Sequence, residues 1–254
     1  MRKEDLRDIA LFLQEYSTRL MGSGVHTARV ARNTRRIAQA LHVDAKVVLL
    51  HKTIIISVED VEKHQSINEV AVVPELPISF RLNAELSSLS WEAQDEKLGL
   101  EEIISRYNAI ISQPRLDFRL IWLLLSVANG CFCALFGGDL WACIMVFAAT
   151  AVGFYLRTVL NKAGVNAFLS VIISAIAASL VSALSLTFDA TADIAIGTSV
   201  LFMVPGVPLI NGIIDIVSGH TVAGSGRLIQ AALIVICIAV GLSATLLIFE
   251  NKLI

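Results

Sequence analysis

The chain has 254 residues, 56% of them hydrophobic, and a mean hydropathy of +0.72, which excludes an ordinary wholly soluble enzyme. Charge is unevenly distributed: residues 1–117 contain 15 Lys and Arg and 17 Asp and Glu, whereas residues 118–254 contain 5 of each class. The net charge of −2 gives no general reason to expect nucleic acid binding. We therefore expect a soluble-type domain over residues 1–117, fused to a membrane-type domain over residues 118–254.

The N-terminal part has the patterning of a small α+β domain. Helical spacing of apolar residues predicts helices over residues 4–21 and 26–41, and again over residues 80–96 and 100–111. Runs rich in Val and Ile predict one or two strands over residues 46–58 and another over residues 67–73. The domain shows no nucleophile–base arrangement, metal-ligand spacing or phosphate-binding loop, so we expect no enzymatic activity, metal or cofactor.

The second half contains successive apolar segments that are long enough to cross a bilayer. The breaks between them are short and carry Gly, Asn and Asp residues. All four cysteines lie in this half, and we interpret them as buried thiols rather than disulfide or zinc ligands. The predicted fold class is therefore a membrane α-helical protein with five transmembrane helices, over residues 118–136, 140–160, 165–188, 194–214 and 228–249.

Lys and Arg residues at the ends of the predicted spans indicate the orientation. One set of ends carries five cations, whereas the opposite set carries Lys252 alone. Because positive residues concentrate on the cytoplasmic side, we expect a cytoplasmic N-terminal domain and an external C-terminus. The five cations are Arg115, Arg119, Arg157, Lys162 and Arg227.

The fourth predicted span is the most informative segment. Pro205 and Pro208 each lack a backbone N–H, and Gly206 lies between them. We expect these residues to open the helix, which exposes backbone groups that transporters use to bind ions and substrates. Asn211 and Asp215, four residues apart, share one helix face beyond the break. A simple proline kink and a solvated helix-end Asp215 are the competing interpretations.

The segment after this span adds two more candidate binding residues. It runs over residues 218–227 and contains three glycines, His220 and Arg227. His220 can titrate near neutral pH, and Arg227 can bind a carboxylate through two N–H groups. A flexible cytoplasmic loop is the alternative. The third span also carries small residues at four-residue spacing, which favour close helix packing over a polar conduit.

Two motifs resemble those of the bacterial threonine/serine exporter (ThrE) family. The first is the run Gly22-Ser23-Gly24-Val25-His26-Thr27-Ala28-Arg29-Val30. The second is Val204-Pro205-Gly206-Val207-Pro208-Leu209-Ile210-Asn211, followed by Asp215, Gly219-His220 and Arg227. The resemblance covers the whole chain, including its order of a cytoplasmic domain and then five spans. Because longer members of the family carry further spans, the chain looks like the YjjP-type half, whose counterpart is a smaller YjjB-type membrane protein.

The resemblance implies a subunit of an exporter in the bacterial inner membrane. Its substrates would be small polar metabolites, either threonine and serine or dicarboxylates such as succinate, and its driving force an ion gradient. Pro205, Gly206, Pro208, Asn211, Asp215, His220 and Arg227 are the expected substrate- and ion-binding residues, with Asp215 or His220 exchanging a proton. A membrane-anchored regulatory or enzymatic protein acting through its cytoplasmic domain is the main alternative, and a passive channel is another.

Overall fold

The structure is a computed structural model that describes residues 3–60, 64–114, 116–188 and 190–253. Within these residues, short 3-10 helices at Leu184–Thr187 and Leu201–Met203 accompany the main elements. In chain order, the α-helices and β-strands are α1 (Lys3–Gly22), α2 (Thr27–Ala40), β1 (Asp44–Leu49), β2 (Thr53–Asp60), β3 (Gln65–Val72), α3 (Phe80–Asp95), α4 (Leu100–Ser112), α5 (Phe118–Leu135), α6 (Leu140–Lys162), α7 (Ala167–Ala183), α8 (Ala192–Thr198), α9 (Gly206–Val217) and α10 (Thr221–Leu253).

The chain divides into two compact units. One unit combines Met1–Pro114 with Gly206–Ile229, and the other combines Arg115–Pro205 with Gln230–Ile254. Helix α9 and the first turns of α10 therefore belong to the same unit as the N-terminal elements. This division differs from the single boundary that we expect after residue 117. The cytoplasmic and transmembrane domains remain a prediction, because compactness does not define which residues lie in a bilayer.

The first unit contains an antiparallel sheet in the order β1-β2-β3. Helix α1 packs on β2 and β3, and α2 packs on β1. The side chains of Ile54, Ile56 and Val58 alternate along β2 and are fully buried, as expected for a sheet with one covered face. The four predicted helices and the strand predicted over residues 67–73 are confirmed in this α+β unit, and the run over residues 46–58 forms two strands rather than one.

Among the residues that the structure describes, four helices are long and apolar enough to cross a membrane: α5, α6, α7 with the 3-10 turn after it, and α10. The segments Ala192–Met203 and Gly206–Val217 pass the same test only as a pair separated by a break. The predicted helical fold with several apolar spans is therefore confirmed. The predicted count of five spans depends on the broken pair crossing the bilayer as one span.

Local capping explains why the first three apolar helices begin where they do. The side chains of Asp117, Asp139 and Asn166 accept backbone hydrogen bonds at the start of α5, α6 and α7. The turns before α6 and α7 pass through Gly137 and Gly164, whose φ angles are +88° and +75°. The short connections predicted between these spans are thus turns at which one helix ends and the next begins.

The glycine-rich connection after the fourth span is much shorter than expected. Helix α10 begins at Thr221, so most of the predicted connection over residues 218–227 is helical. A Cβ atom on Gly224 would lie 2.6 Å from the carbonyl oxygen of Gly212, and one on Gly226 would lie 2.9 Å from the Cβ of His51. These glycines therefore lie in a helix, where the lack of a side chain lets neighbouring segments pack closely; they do not form a flexible loop.

Candidate functional site

The break in the fourth predicted span coincides with one of its two prolines. Val204 has an extended backbone, as a residue before proline prefers, and α9 begins immediately after Pro205. Pro208 lies in the first turn of α9, where a backbone N–H would have no acceptor within the helix. Our expectation that Pro208 also interrupts the helix is therefore wrong. Gly206 is the first residue of α9, and a Cβ atom added there would meet nothing within 4 Å.

Helix α9 buries its polar side chains and exposes its apolar ones. Asn211 and Asp215 are 8% and 0% exposed, whereas Ile210, Ile213 and Val217 are more than half exposed. This distribution is the reverse of that on a water-soluble helix. The buried polar face packs within the first compact unit, against α2.

Three of the predicted site residues converge on the turn between α1 and α2. The Asn211 amide donates a hydrogen bond to the carbonyl oxygen of Gly24 at 2.8 Å. The Arg227 guanidinium donates to the carbonyl oxygen of Val25 through Nη2 at 3.0 Å. The structure thus joins the two motifs that carry the family resemblance, although about 190 positions separate them in the chain.

Asp215 caps the N-terminus of α2. Its carboxylate accepts hydrogen bonds from the backbone N–H of Thr27 at 2.7 Å and from the Thr27 hydroxyl at 2.8 Å. The preceding residue, His26, makes no side-chain cap of its own. Arg227 lies at the same carboxylate, with Nε 3.3 Å from Oδ2, and its side chain is 10% exposed. The carboxylate is therefore held by a helix N-terminus, a hydroxyl and a cation.

The glycines of the N-terminal motif shape the turn that Asp215 meets. Gly24 has a φ angle of +97°, in the left-handed region that favours glycine. A Cβ atom on Gly22 would lie 2.6 Å from the carbonyl oxygen of Pro74, so the chain passes too closely for a side chain. Between them, the Ser23 hydroxyl hydrogen-bonds with the side chain of Asn83 and donates to the carbonyl oxygen of Leu20.

Several charged side chains act on His26, the residue just before the α2 N-terminus. His26 is half-buried, and burial lowers its pKa, as do the charges of Arg29, Arg32 and Arg227, while the Asp215 carboxylate raises it. The Nδ1 atom of His26 is buried without a hydrogen-bond partner in the described residues. Neither Arg29 nor Arg32 forms an ion pair within the described part of the chain.

The hairpin of α9 and α10 places His220 differently from the other predicted residues. The backbone N–H of His220 donates to the carbonyl oxygen of Asp215 at 2.8 Å and closes the turn. Its imidazole is half-buried and forms no hydrogen bond within residues that the structure describes. The structure therefore assembles Asn211, Asp215 and Arg227 around the α2 N-terminus, with the His220 side chain outside this network.

A separate buried polar cluster in the second unit was missed by the sequence interpretation. The Asn129 amide in α5 donates to the Thr150 hydroxyl at 2.7 Å and to the carbonyl oxygen of Thr198 at 3.2 Å. Thr198 is the last residue of α8, so this carbonyl belongs to a helix end. The available signal was one asparagine in an otherwise apolar span.

The small residues of α7 pack closely, as expected. A Cβ atom on Gly153 of α6 would lie 3.0 Å from the Cβ of Ala178. The Ser179 hydroxyl is 2.6 Å from that of Thr245. Ser170, Ser174 and Ser182 are also fully buried, and their hydroxyls have no partner in the described residues. The geometry supports helix packing and leaves these hydroxyls inside the unit.

The described residues place no group of three His, Cys, Asp or Glu side chains where they could hold a metal ion. The chemical capability of the site is instead that of binding a carboxylate. Its donors are one backbone N–H, one hydroxyl and one guanidinium, and all of them belong to buried residues.

Comparison with known proteins identifies the family of the chain. The family described as "Putative threonine/serine exporter" (ThrE) matches residues 12–249. The chain is 26% identical to the "Probable succinate transporter subunit YjjP" of Escherichia coli K12, over 98% of both chains. It is 25% identical to the protein of the same name from Klebsiella aerogenes, over 94% of this chain and 93% of that protein. No solved structure matches. The chain therefore belongs to the threonine/serine exporter family of membrane transport proteins.

Proposed function

We propose that the chain is one subunit of a secondary-active exporter that moves small polar metabolites out of the bacterial cytoplasm, coupled to the proton gradient. The observation that carries the proposal is the buried network of Asn211, Asp215 and Arg227, which lie in the two helices that follow the break at Pro205. A protein that is merely anchored needs neither a broken helix nor a buried carboxylate on an apolar segment, because buried charges in such segments serve function.

The contacts suggest how a proton could control this network. Asp215 is bound as an anion by Thr27 and Arg227. Protonation would remove its negative charge and weaken both the ion pair and the helix cap. Helix α9 could then separate from the α2 N-terminus, while Arg227 stays bound to the carbonyl oxygen of Val25. In this scheme Asp215 exchanges the proton, Arg227 attracts the anionic substrate and Pro205 with Gly206 permits α9 to move.

The remaining predicted residues have supporting roles in the proposal. Asn211 keeps α9 in register with the turn at Gly24 through its amide. Pro208 stiffens the first turn of α9, since its ring fixes the backbone at a helical φ angle. His220, at the hairpin turn, is a second candidate for proton exchange.

Succinate is the first substrate candidate and threonine or serine the second. The two curated relatives carry succinate in their names, and they match the chain over nearly its full length. The family description instead names threonine and serine. All three compounds carry a carboxylate, which suits the donor set around Asp215.

The word "subunit" in the names of the relatives implies a partner protein. We propose a YjjB-type membrane protein that supplies the remaining spans. The complex would lie in the inner membrane, with the N-terminus of this chain in the cytoplasm and its C-terminus outside. The positions of Arg119, Arg157, Lys162 and Arg227 support this orientation.

Export from cells tests the proposal. Cells that express the chain alone, the partner alone or both are loaded with threonine, serine and succinate, and external metabolites are followed with and without a protonophore. We expect export only when both subunits are present, and its collapse with the gradient. Flux that ignores the gradient would indicate a passive channel. Absence of export under every combination would favour a protein that acts through its cytoplasmic domain.

A further inference from the structure

The partners of Asp215 form a site that would bind any small carboxylate. The two carboxylate oxygens have different donors: Oδ1 accepts from the Thr27 backbone N–H, and Oδ2 accepts from the Thr27 hydroxyl and lies beside Arg227 Nε. All these groups lie in one compact unit. A helix N-terminus with an adjacent guanidinium is a general arrangement for anion recognition.

The donors are held in place by contacts that do not involve Asp215. Arg227 is fixed through Nη2 on the carbonyl oxygen of Val25. The turn before Thr27 is fixed by Ser23, whose carbonyl oxygen accepts hydrogen bonds from the Asn83 side chain and the Ser79 backbone. The site would therefore keep its shape if the Asp215 carboxylate were withdrawn.

The surrounding charge favours an anion in that position. Arg29, Arg32 and Arg227 all act electrostatically on His26, and Asp215 is the anion that opposes them there. With Asp215 absent, the positive charge of the buried Arg227 would be uncompensated. Attraction for an anion is stronger at such a buried position than in water.

We propose that the α2 N-terminus, the Thr27 hydroxyl and Arg227 form a carboxylate-binding site that Asp215 fills as an internal ligand and that a carboxylate of the substrate occupies when α9 moves away. Only the identity of that ligand as the exported substrate rests on the proposed function. Occupation by Asp215 and occupation by substrate exclude each other, so the site would close whenever no substrate carboxylate is present.

Rescue by added carboxylates tests the site without measuring transport. The purified full chain carrying Asp215→Ala has an empty position where the carboxylate was, and its thermal midpoint is measured against increasing formate, acetate and succinate. Chloride at equal ionic strength is the reference. We expect the variant to unfold at a lower temperature than the wild type. Each carboxylate should then raise its midpoint by several degrees with saturation, whereas the wild type should not respond.

A double variant shows whether the added ions bind at the proposed donors. Asp215→Ala combined with Thr27→Val lacks the hydroxyl donor, and we expect its midpoint to respond far less to formate. An equal response in the double variant, or none in Asp215→Ala, would overturn the proposal. If Asp215→Ala folds only when purified in formate, that dependence itself supports the site. Failure to fold with or without formate, while Asp215→Asn folds, contradicts it.

The outcome is separable from that of the export assay. Carboxylate rescue without any export of carboxylates would retain the site and reject the proposed function. Gradient-dependent export without carboxylate rescue would retain the function and reject this site as the place where the substrate binds.

Discussion

The carboxylate of Asp215 caps the helix that begins at Thr27, a residue 188 positions earlier in the chain. One contact therefore explains two sequence motifs that otherwise look independent. The glycine-rich turn before Thr27 presents a helix N-terminus, and the segment after Pro205 delivers the anion that the helix end requires.

Replacing Arg227 by methionine should strongly destabilise the protein. The change leaves the fully buried Asp215 carboxylate without its cation, and loss of one partner from a buried ion pair costs about 3–5 kcal/mol. Denaturant unfolding of the purified full chain measures the effect. Arg35→Met is the matched control, because Arg35 is exposed on α2 and forms no ion pair in the described residues. Equal stabilities of the two variants would contradict the assignment of a buried pair.

Gly224→Ala should force α9 and α10 apart. The added Cβ would lie 2.6 Å from the carbonyl oxygen of Gly212, a backbone atom that cannot rotate away. Overpacking of this kind costs about 1–3 kcal/mol. The measurement is the thermal midpoint together with export activity. Gly197→Ala serves as control, since a Cβ atom there meets nothing within 4 Å, and a helical alanine is about 1 kcal/mol more favourable than glycine. Equal thermal midpoints and equal export activities of Gly224→Ala and Gly197→Ala would contradict the close packing of α9 on α10.

The pKa of His26 should report the charge of Asp215. Burial lowers this pKa, and the Asp215 carboxylate partly offsets the decrease. In Asp215→Asn the offset disappears, so the pKa of His26 should fall further. Titration of labelled histidine by NMR measures it, with His26→Gln used to assign the signal. An unchanged or higher pKa would show that the carboxylate does not act on His26.

The lowered pKa of His26 also fixes the sign of one pH effect on stability. The unfolded chain binds the His26 proton more readily than the folded chain, so the contribution is complete above the unfolded pKa of about 6.5. It is lost progressively as the pH falls from there toward the folded pKa. Unfolding measured across this window should show a smaller pH dependence in His26→Gln than in the wild type. Identical profiles would argue against the lowered pKa.

Asn129→Leu should weaken the second unit by removing the donor to a helix-end carbonyl. The Thr198 carbonyl would lose its hydrogen bond from the amide, and Thr150 would lose another. Side-chain hydrogen bonds in apolar segments contribute about 0.6 kcal/mol on average and up to about 1.7 kcal/mol. Thermal unfolding compares this variant with Thr150→Val, which removes the bond from Asn129 and the bond from the Thr150 hydroxyl to the carbonyl oxygen of Val146. Wild-type stability in Asn129→Leu would be inconsistent with the cluster.

Much of the fold follows from local patterns. Runs rich in Val and Ile predicted the strands, because β-branched residues favour that conformation locally. Helical spacing predicted α1 to α4, because it reflects burial of one helix face in the same local segment. The apolar spans α5, α6 and α7 were predictable for a similar reason, since the bilayer sets their length.

The site was only half predictable. Asn211, Asp215 and Arg227 stood out as polar residues in an apolar half, but nothing local indicates that they meet Gly24, Val25 and Thr27. Contacts between residues so distant in sequence depend on tertiary packing. The same limit applies to Gly224, where a glycine that suggests a flexible loop instead permits close approach of two helices.

The most direct test of the account is succinate export by cells that express the partner subunit with Asp215→Asn. The variant keeps the size of the side chain and removes its charge, and Asp193→Asn, at an exposed position in the first turn of α8, is the control. With and without a protonophore, we expect Asp193→Asn to match the wild type. Normalised to the amount of protein in the membrane, Asp215→Asn should lose gradient-dependent export. Export by Asp215→Asn at the wild-type rate, with wild-type sensitivity to the protonophore, would contradict the account.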